Sequence, residues 1–251
     1  MSANRGELVD DLRYWLAPPY LLRSQLHILK ARGEYQRARR ENPEHLFRIF
    51  DQYRCLYIHI PKAGGVSIYN SLFAEAIGKE HVKSVGHYSI RDYQLIFGSK
   101  TVQDYFTFSI VRNPWARVLS AYKFLRRGGF HKWDAIWAEK HLSKFNSFDD
   151  FVIRWLTPHS ACRAMHFIPQ HNFLVSCSGQ LKIDFIGKLE TIEADFDAIR
   201  KTLNIDCRIR HLNRSKPTSD RRGYRRSYTA QSQRIVEQVY QKDIEVFGYE
   251  F

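Results

Sequence analysis

The strongest constraint on the fold is a pattern that occurs twice: a short β-branched and aromatic run, a tight loop, then residues with helical spacing. The first copy is Cys55-Leu56-Tyr57-Ile58-His59-Ile60, stopped by Pro61 and followed by helical spacing from Ser67 to Ile77. The second is Tyr105 to Val111, then Asn113 as an N-cap, Pro114 at the first helical position and a helix to about Arg126. Strands alternating with helices imply a mostly parallel sheet that must be covered on both faces. The expected fold class is therefore α/β, a single domain over residues 51–251 with a central parallel sheet flanked by helices. Residues 1–50 read as an N-terminal helical extension, with a helix from Ser24 to Arg40.

Other elements fit around this frame. His81 to Gly86 reads as a short strand, and Ser89 with Asp92 opens a helix that Gly98 closes. Ser147 with Asp150 caps a helix that reaches Trp155 and is halted by Pro158. Ile183 to Gly187 is a strand preceding a helix from Thr191 to Leu203. Thr229 caps the last long helix, which ends near Phe247, although Ser232 is not the Glu or Gln a full capping box uses.

With 251 residues, 44% hydrophobic and 26% charged, the chain has ordinary globular usage and can bury a core without disulfides or metals, which excludes disorder and coiled coil. Cys55, Cys162, Cys177 and Cys207 include no C-x-x-C pair, so neither a zinc-site spacing nor a dense disulfide framework is present and reduced thiols are expected. The apolar run from Tyr14 to Leu22 is broken by Pro18 and Pro19 and falls short of the roughly 20 residues a spanning helix needs. There is no signal-peptide pattern. These features predict a cytoplasmic protein without an integral membrane segment, at most peripheral to a membrane. Lys and Arg number 39 against 26 Asp and Glu, a formal charge of +13, so an anionic partner is expected.

Two loops carry the chemistry. In Ile60-Pro61-Lys62-Ala63-Gly64-Gly65-Val66-Ser67 the glycines allow a sharp turn and close backbone approach, the next helix offers N–H groups, and Lys62 adds a charge: an anion cradle. It is not the nucleotide-triphosphate loop, which places its lysine after the glycines. In Ser109-Ile110-Val111-Arg112-Asn113-Pro114-Trp115-Ala116-Arg117-Val118-Leu119-Ser120-Ala121-Tyr122, Arg112 leaves a strand at the carboxyl edge of the sheet, where open α/β folds bind ligands. Ser120 lies two turns along the helix from Asn113, on the same face, and can share one anion with Arg112. Each loop also has a plain reading: a Gly-Gly turn with a surface lysine, and an arginine paired with a carboxylate beside a serine bonding its own backbone.

Together, Pro-Lys-x-Gly-Gly-x-Ser and Val-Arg-Asn-Pro-x-x-Arg-x-x-Ser-x-Tyr resemble the sulfotransferase superfamily, in particular its carbohydrate branch. His166-Phe167-Ile168-Pro169-Gln170, Asp184 to Glu190, Asn213-Arg214-Ser215 and Tyr240-x-x-Asp243-x-x-x-Phe247-Gly248-Tyr249 extend the resemblance over residues 55–251. It implies a P-loop-like sulfotransferase fold, 3′-phosphoadenosine 5′-phosphosulfate as donor, adenosine 3′,5′-bisphosphate as product, a carbohydrate or glycolipid hydroxyl as acceptor, and no metal. Lys62, Ala63, Gly64, Gly65, Val66 and Ser67 would hold the 5′-phosphosulfate, and Arg112 and Ser120 the 3′-phosphate. The lack of a membrane anchor departs from the animal Golgi enzymes and suggests a bacterial enzyme or a catalytic domain alone.

Lys62 is suited to offset charge on the departing phosphate. His87 sits where related glycan sulfotransferases place a catalytic histidine, and an ordinary imidazole pKa of about 6.5 suits a base; His166 is next in line and His59, expected to point into strand packing, is third. The basic run Arg208 to Arg226 reads as a solvated face, but the resemblance implies a loop over the nucleotide, with Asn213, Ser215 and Lys216 touching it. Arg126 to His141, with Trp133 and Trp137, is the candidate acceptor groove, or else a partly buried helix with an apolar stripe. Two other classes stand beside sulfotransfer. A magnesium-dependent kinase-like phosphotransferase is disfavoured by the lysine–glycine order, and non-enzymatic nucleic-acid binding is supported by charge alone.

Overall fold

A computed structural model describes residues 25–41, 45–74, 77–82, 86–210 and 223–251. In it both strand–loop–helix copies contribute neighbouring strands to one parallel sheet of order β1-β2-β3. β1 (Cys55–Ile58) pairs with β2 (Phe106–Val111) from Cys55 opposite Phe106 to Ile58 opposite Ser109. β3 (Phe185–Lys188) pairs with the far side of β2, from Phe108 opposite Phe185 to Val111 opposite Lys188. All of β1 and β2 from Thr107 onward are buried, as a parallel sheet covered on both faces requires.

The β2–β3 register is pinned by one carboxylate. Asp184 Oδ2 accepts from the Thr107 amide and hydroxyl, each at 2.8 Å, and the Asp184 amide donates to Thr107 O at 3.0 Å. At Gly187 a Cβ would come within 2.7 Å of Ile110 and 2.9 Å of Asp195, so only glycine lets the strand lie this close. Asp195 then accepts from the Lys188 amide at 2.8 Å and the Thr191 hydroxyl at 2.6 Å, which fixes the turn from β3 into the helix Ile192–Thr202.

The chain groups into two units that interleave along the sequence. The sheet unit, Ser24–Val111 with Gln170–Pro217, holds the three strands and the helices Gln25–Glu41, Leu46–Tyr53, Gly65–Tyr69, Ile90–Phe97, Ser99–Asp104, His171–Leu174 and Ile192–Thr202. The described residues of the helical unit, within Arg112–Pro169 and Thr218–Phe251, form the helices Pro114–Arg126, Lys132–Leu142, Phe148–Trp155, Pro158–Arg163, Ala230–Val239 and Gln241–Phe247. Their apolar faces meet in one cluster that includes Trp115, Leu119, Trp137, Phe151, Phe167 and Tyr240.

The caps anticipated from sequence are in place. Ser89 and Asp92 form a capping box, Asn113 accepts from Ala116 N with Pro114 at the first helical position, and Ser147 accepts from Asp150 N. Thr229 and Ser232 form a capping box after all, because the serine hydroxyl accepts from Thr229 N at 3.0 Å and replaces the expected Glu or Gln.

Several expectations are corrected. Of the expected strand at His81–Gly86, residues 81, 82 and 86 are not in a strand and 83–85 lie outside the described residues; Asn70 Oδ1 takes the Val82 amide that a ladder would need. The helix expected to run to Ile77 is an α-helix only over Gly65–Tyr69 and continues as a π-turn, Asn70–Ala74. The last helix breaks at Tyr240, and Pro158 opens a further helix as well as ending one.

Candidate functional site

The loop after β1 contains two left-handed residues close together. Lys62 is left-handed, with φ 66°, a conformation that costs a residue with a Cβ about 1 kcal/mol or more. Gly64 is left-handed as well, at φ 83°, and a Cβ there would meet Leu189 Cδ1, at the end of β3, at 2.7 Å. Lys62, Gly64 and Ser67 are partly open and Val66 is exposed, while Ala63 and Gly65 are buried. The loop thus brings a lysine and a stretch of small residues to the carboxyl edge of the sheet. Behind it Asn70 holds the helix, donating to Val66 O at 2.9 Å. This side bond accompanies the π-turn, a distortion common near functional sites.

His59 and His87 stand against that loop. His59 continues the face of β1 that carries Tyr57, two residues earlier, and is buried between Tyr57 (ring centroids 5.9 Å, stacked) and the edge of Tyr69 (5.1 Å). The His87 ring lies 4.2 Å from the His59 ring, tilted by 48°. His87 Nδ1 is 3.0 Å from the backbone oxygen of His59. A carbonyl can only accept, so Nδ1 carries a proton, and in the neutral ring Nε2 is the nitrogen with the lone pair. A neutral imidazole in this tautomer is a base aimed by the backbone.

The second motif divides by burial. Arg112 and Ser120 are partly open, and every residue from Asn113 to Leu119 between them is buried. Asn113 anchors the helix start by donating to Glu250 O at 2.8 Å while it caps Ala116 N. Arg117, the other motif arginine, is a core residue. Burial lowers the proton affinity of its guanidinium, and nearby Tyr240 and Asp243 act in the opposite direction. Tyr240 in turn donates to Phe167 O at 2.6 Å. The closing Tyr240-x-x-Asp243 motif is therefore packing around Arg117.

His166 and the expected acceptor segment also turn inward. His166 Nε2 lies 3.2 Å from Asp134 Oδ1, both side chains buried, with the edge of Phe124 against the imidazole. Asp134 Oδ2 accepts from the amides of Phe130 (2.9 Å) and His131 (3.2 Å). Burial alone would raise the Asp134 carboxyl, but these bonds, led by that from His166, outweigh it and hold it below the usual carboxylate range. Trp137 packs in the core on Phe167 and Trp155, which removes it from any acceptor groove; Trp133, beneath Lys132 Nζ at 5.0 Å, stays partly open.

The sheet unit thus brings together Lys62 to Ser67 and His87, and the helical unit holds Arg112 and Ser120. Asn213, Ser215 and Lys216 lie outside the described residues. Nothing in the sequence singled out Asn70, whereas His59 lies in the strand packing as expected: Cys55, Tyr57 and His59 share one face of a buried strand, which encloses the imidazole. Among the described residues no cluster of three or more His, Cys, Asp or Glu side chains could hold a metal ion, and no helix is long and apolar enough to cross a membrane.

Comparison with known proteins addresses the family rather than individual residues. The family model described as "Sulfotransferase family" matches residues 45–250. A relative named carbohydrate sulfotransferase 10 from Mus musculus is 26% identical, the alignment covering 98% of this chain and 80% of the relative. Proteins of the same name from Rattus norvegicus (27% identical, 82% of this chain and 67% of the relative) and Gallus gallus (24%, 81% and 67%) also match. No solved structure matches.

Proposed function

The chain belongs to the sulfotransferase family, and from that premise we propose that it moves a sulfuryl group from 3′-phosphoadenosine 5′-phosphosulfate to a hydroxyl of a carbohydrate or glycolipid. The single observation that carries the reading is the packing of His87, in its Nδ1-protonated tautomer, against the Lys62 loop through His59. Family membership implies the nucleotide, and the relatives' names suggest the acceptor class.

The loop fits an anionic group: Lys62 is partly open, Gly64 has no side chain to obstruct approach, and Ser67 adds a partly open hydroxyl. In this reading Lys62 to Ser67 hold the 5′-phosphosulfate, while Arg112 and Ser120 hold the 3′-phosphate through a guanidinium fork and a hydroxyl. The bound donor supplies a sulfuryl group carried on a phosphate leaving group. His87 Nε2 takes the proton of the acceptor hydroxyl as that oxygen bonds to sulfur. The electron pair of the breaking S–O bond passes to the phosphate oxygen, where the Lys62 ammonium offsets the charge. Asn213, Ser215 and Lys216 are proposed to touch the nucleotide on the family resemblance alone.

The test is thermal. Adenosine 3′,5′-bisphosphate at saturating concentration should raise the melting temperature, since a ligand at 100 times its Kd stabilises by about 2.7 kcal/mol. ATP with magnesium should do less. No shift with millimolar bisphosphate would remove the donor assignment. A screen of glycans with labelled donor then identifies the acceptor.

A further inference from the structure

We propose that His59 is the positioning residue of this site, and that residue 65 is glycine because the His59 imidazole occupies the space a side chain there would need. The inference rests on the reading of His87 as the base; it assigns a role to His59, which touches neither acceptor nor reacting atoms, and a steric reason to Gly65 within the anion loop.

The two glycines of the loop differ in kind. Gly64 is left-handed, so its identity follows from backbone conformation. Gly65 is not left-handed, and any residue could adopt its backbone. Space is what excludes a side chain: a Cβ at residue 65 would overlap the His59 ring, 2.7 Å from Cε1 and closer still to Nε2 and Cδ2. Real Cβ atoms do not approach within 3.0 Å, so either the ring or the loop would have to move.

The ring has little room to yield. Tyr57 is stacked along the strand, Tyr69 stands edge-on, and His87 lies 4.2 Å away. Closely packed interiors transmit such a displacement to the neighbour that can move. Tyr57 and Tyr69 are fully buried, whereas His87 is partly open, so the displacement passes to His87. His59 therefore grips the base twice. Its carbonyl selects the tautomer of His87, and its ring spaces His87 from the anion loop. The same residue seats Gly65 and hence the start of the helix that follows Lys62.

The experiment is a double-mutant cycle at residues 59 and 65. In the wild-type background Gly65→Ala should lower kcat by about 10²-fold, the scale expected for a misplacement of about 1 Å. In the His59→Ala background the same substitution should change kcat by less than about twofold, because the new methyl enters vacated space. Nitrogen NMR of the His87 imidazole supplies a signature that packing alone would not move: Nδ1 protonated in the wild type, mixed tautomers in Gly65→Ala, Nδ1 protonated again in the double variant.

If Gly65→Ala does not fold while His59→Ala/Gly65→Ala does, that rescue is the same steric coupling and supports the inference. Failure of the double variant to fold where His59→Ala folds overturns it. So do equal Gly65→Ala penalties in both backgrounds, or an unchanged His87 tautomer in Gly65→Ala. A wild-type chain whose melting temperature ignores adenosine 3′,5′-bisphosphate overturns the donor reading instead, a result distinct from a chain that responds but shows no coupling.

Discussion

The loop after β1 and the core of the helical unit both contain histidines and charged residues from family motifs, yet they treat them in opposite ways. At the loop, Lys62 is held left-handed and partly open, and His87 is aimed by a carbonyl while remaining partly open. In the helical core, Arg117, Tyr240, Asp243, His166 and Asp134 are all buried, and His166 and Asp134 are paired with each other. Strain and access mark the first set, enclosure the second. A polar residue repeated across a family can serve chemistry or serve packing, and burial together with hydrogen bonding separates the two where residue type does not.

The contrast breaks most visibly if His87 is dispensable. His87→Ala should cut kcat by about 10²- to 10⁴-fold and leave the bisphosphate-induced shift as in the wild type, while the lost bond to the His59 carbonyl costs about 1 kcal/mol of stability. Full activity in that variant would move the base elsewhere. Asp243→Ala tests the other side. It removes a carboxylate beside a buried guanidinium and should cost about 3 kcal/mol of stability, lowering the melting temperature by roughly 10 °C. Its kcat at temperatures where it stays folded should match the wild type; a selective loss of kcat would place Asp243 in the chemistry.

Much of this was legible in the sequence for local reasons. The parallel sheet followed from two strand–loop–helix copies, and the caps at Ser89, Asn113 and Ser147 followed from short-range hydrogen bonding that no distant contact overrides. Lys62 and Arg112 could be singled out because each lies in the loop that leaves a strand, Arg112 immediately after β2 and Lys62 just beyond Pro61. What stayed hidden depends on long-range partners. Nothing near Val82 reveals that its amide bonds to Asn70, twelve residues back, and nothing near His166 reveals Asp134, thirty-two residues earlier. Trp137 carries the residue type of a sugar platform, but only the tertiary packing of Phe167 and Trp155 decides that it faces inward. Ser232 shows the converse, a cap formed by a side chain shorter than the rule prefers.

Two smaller effects sharpen the comparison at its edges. Arg112→Ala should weaken adenosine 3′,5′-bisphosphate by about 2 kcal/mol, the loss of a charge-assisted pair, and shrink the thermal shift accordingly. Partly open Arg112 then behaves as a ligand contact where buried Arg117 behaves as structure; an equal shift in the variant would place Arg112 with Arg117.

The least effect concerns Asp134. Asp134→Asn keeps an oxygen for the Phe130 and His131 amides but loses the charge, and should cost about 1 kcal/mol near neutral pH. Because the folded carboxyl lies below the ordinary value of about 3.9, its stabilisation is fully present above that pH and disappears as pH falls through the folded value. Melting curves of the two proteins should therefore differ at pH 6 to 7, on the order of a few degrees, and converge as the pH falls through the lowered folded value of the carboxyl. A gap that persists in acid would mean that Asp134 acts through shape rather than charge, and the His166 pair would then be packing of the same kind as the aromatic cluster beside it.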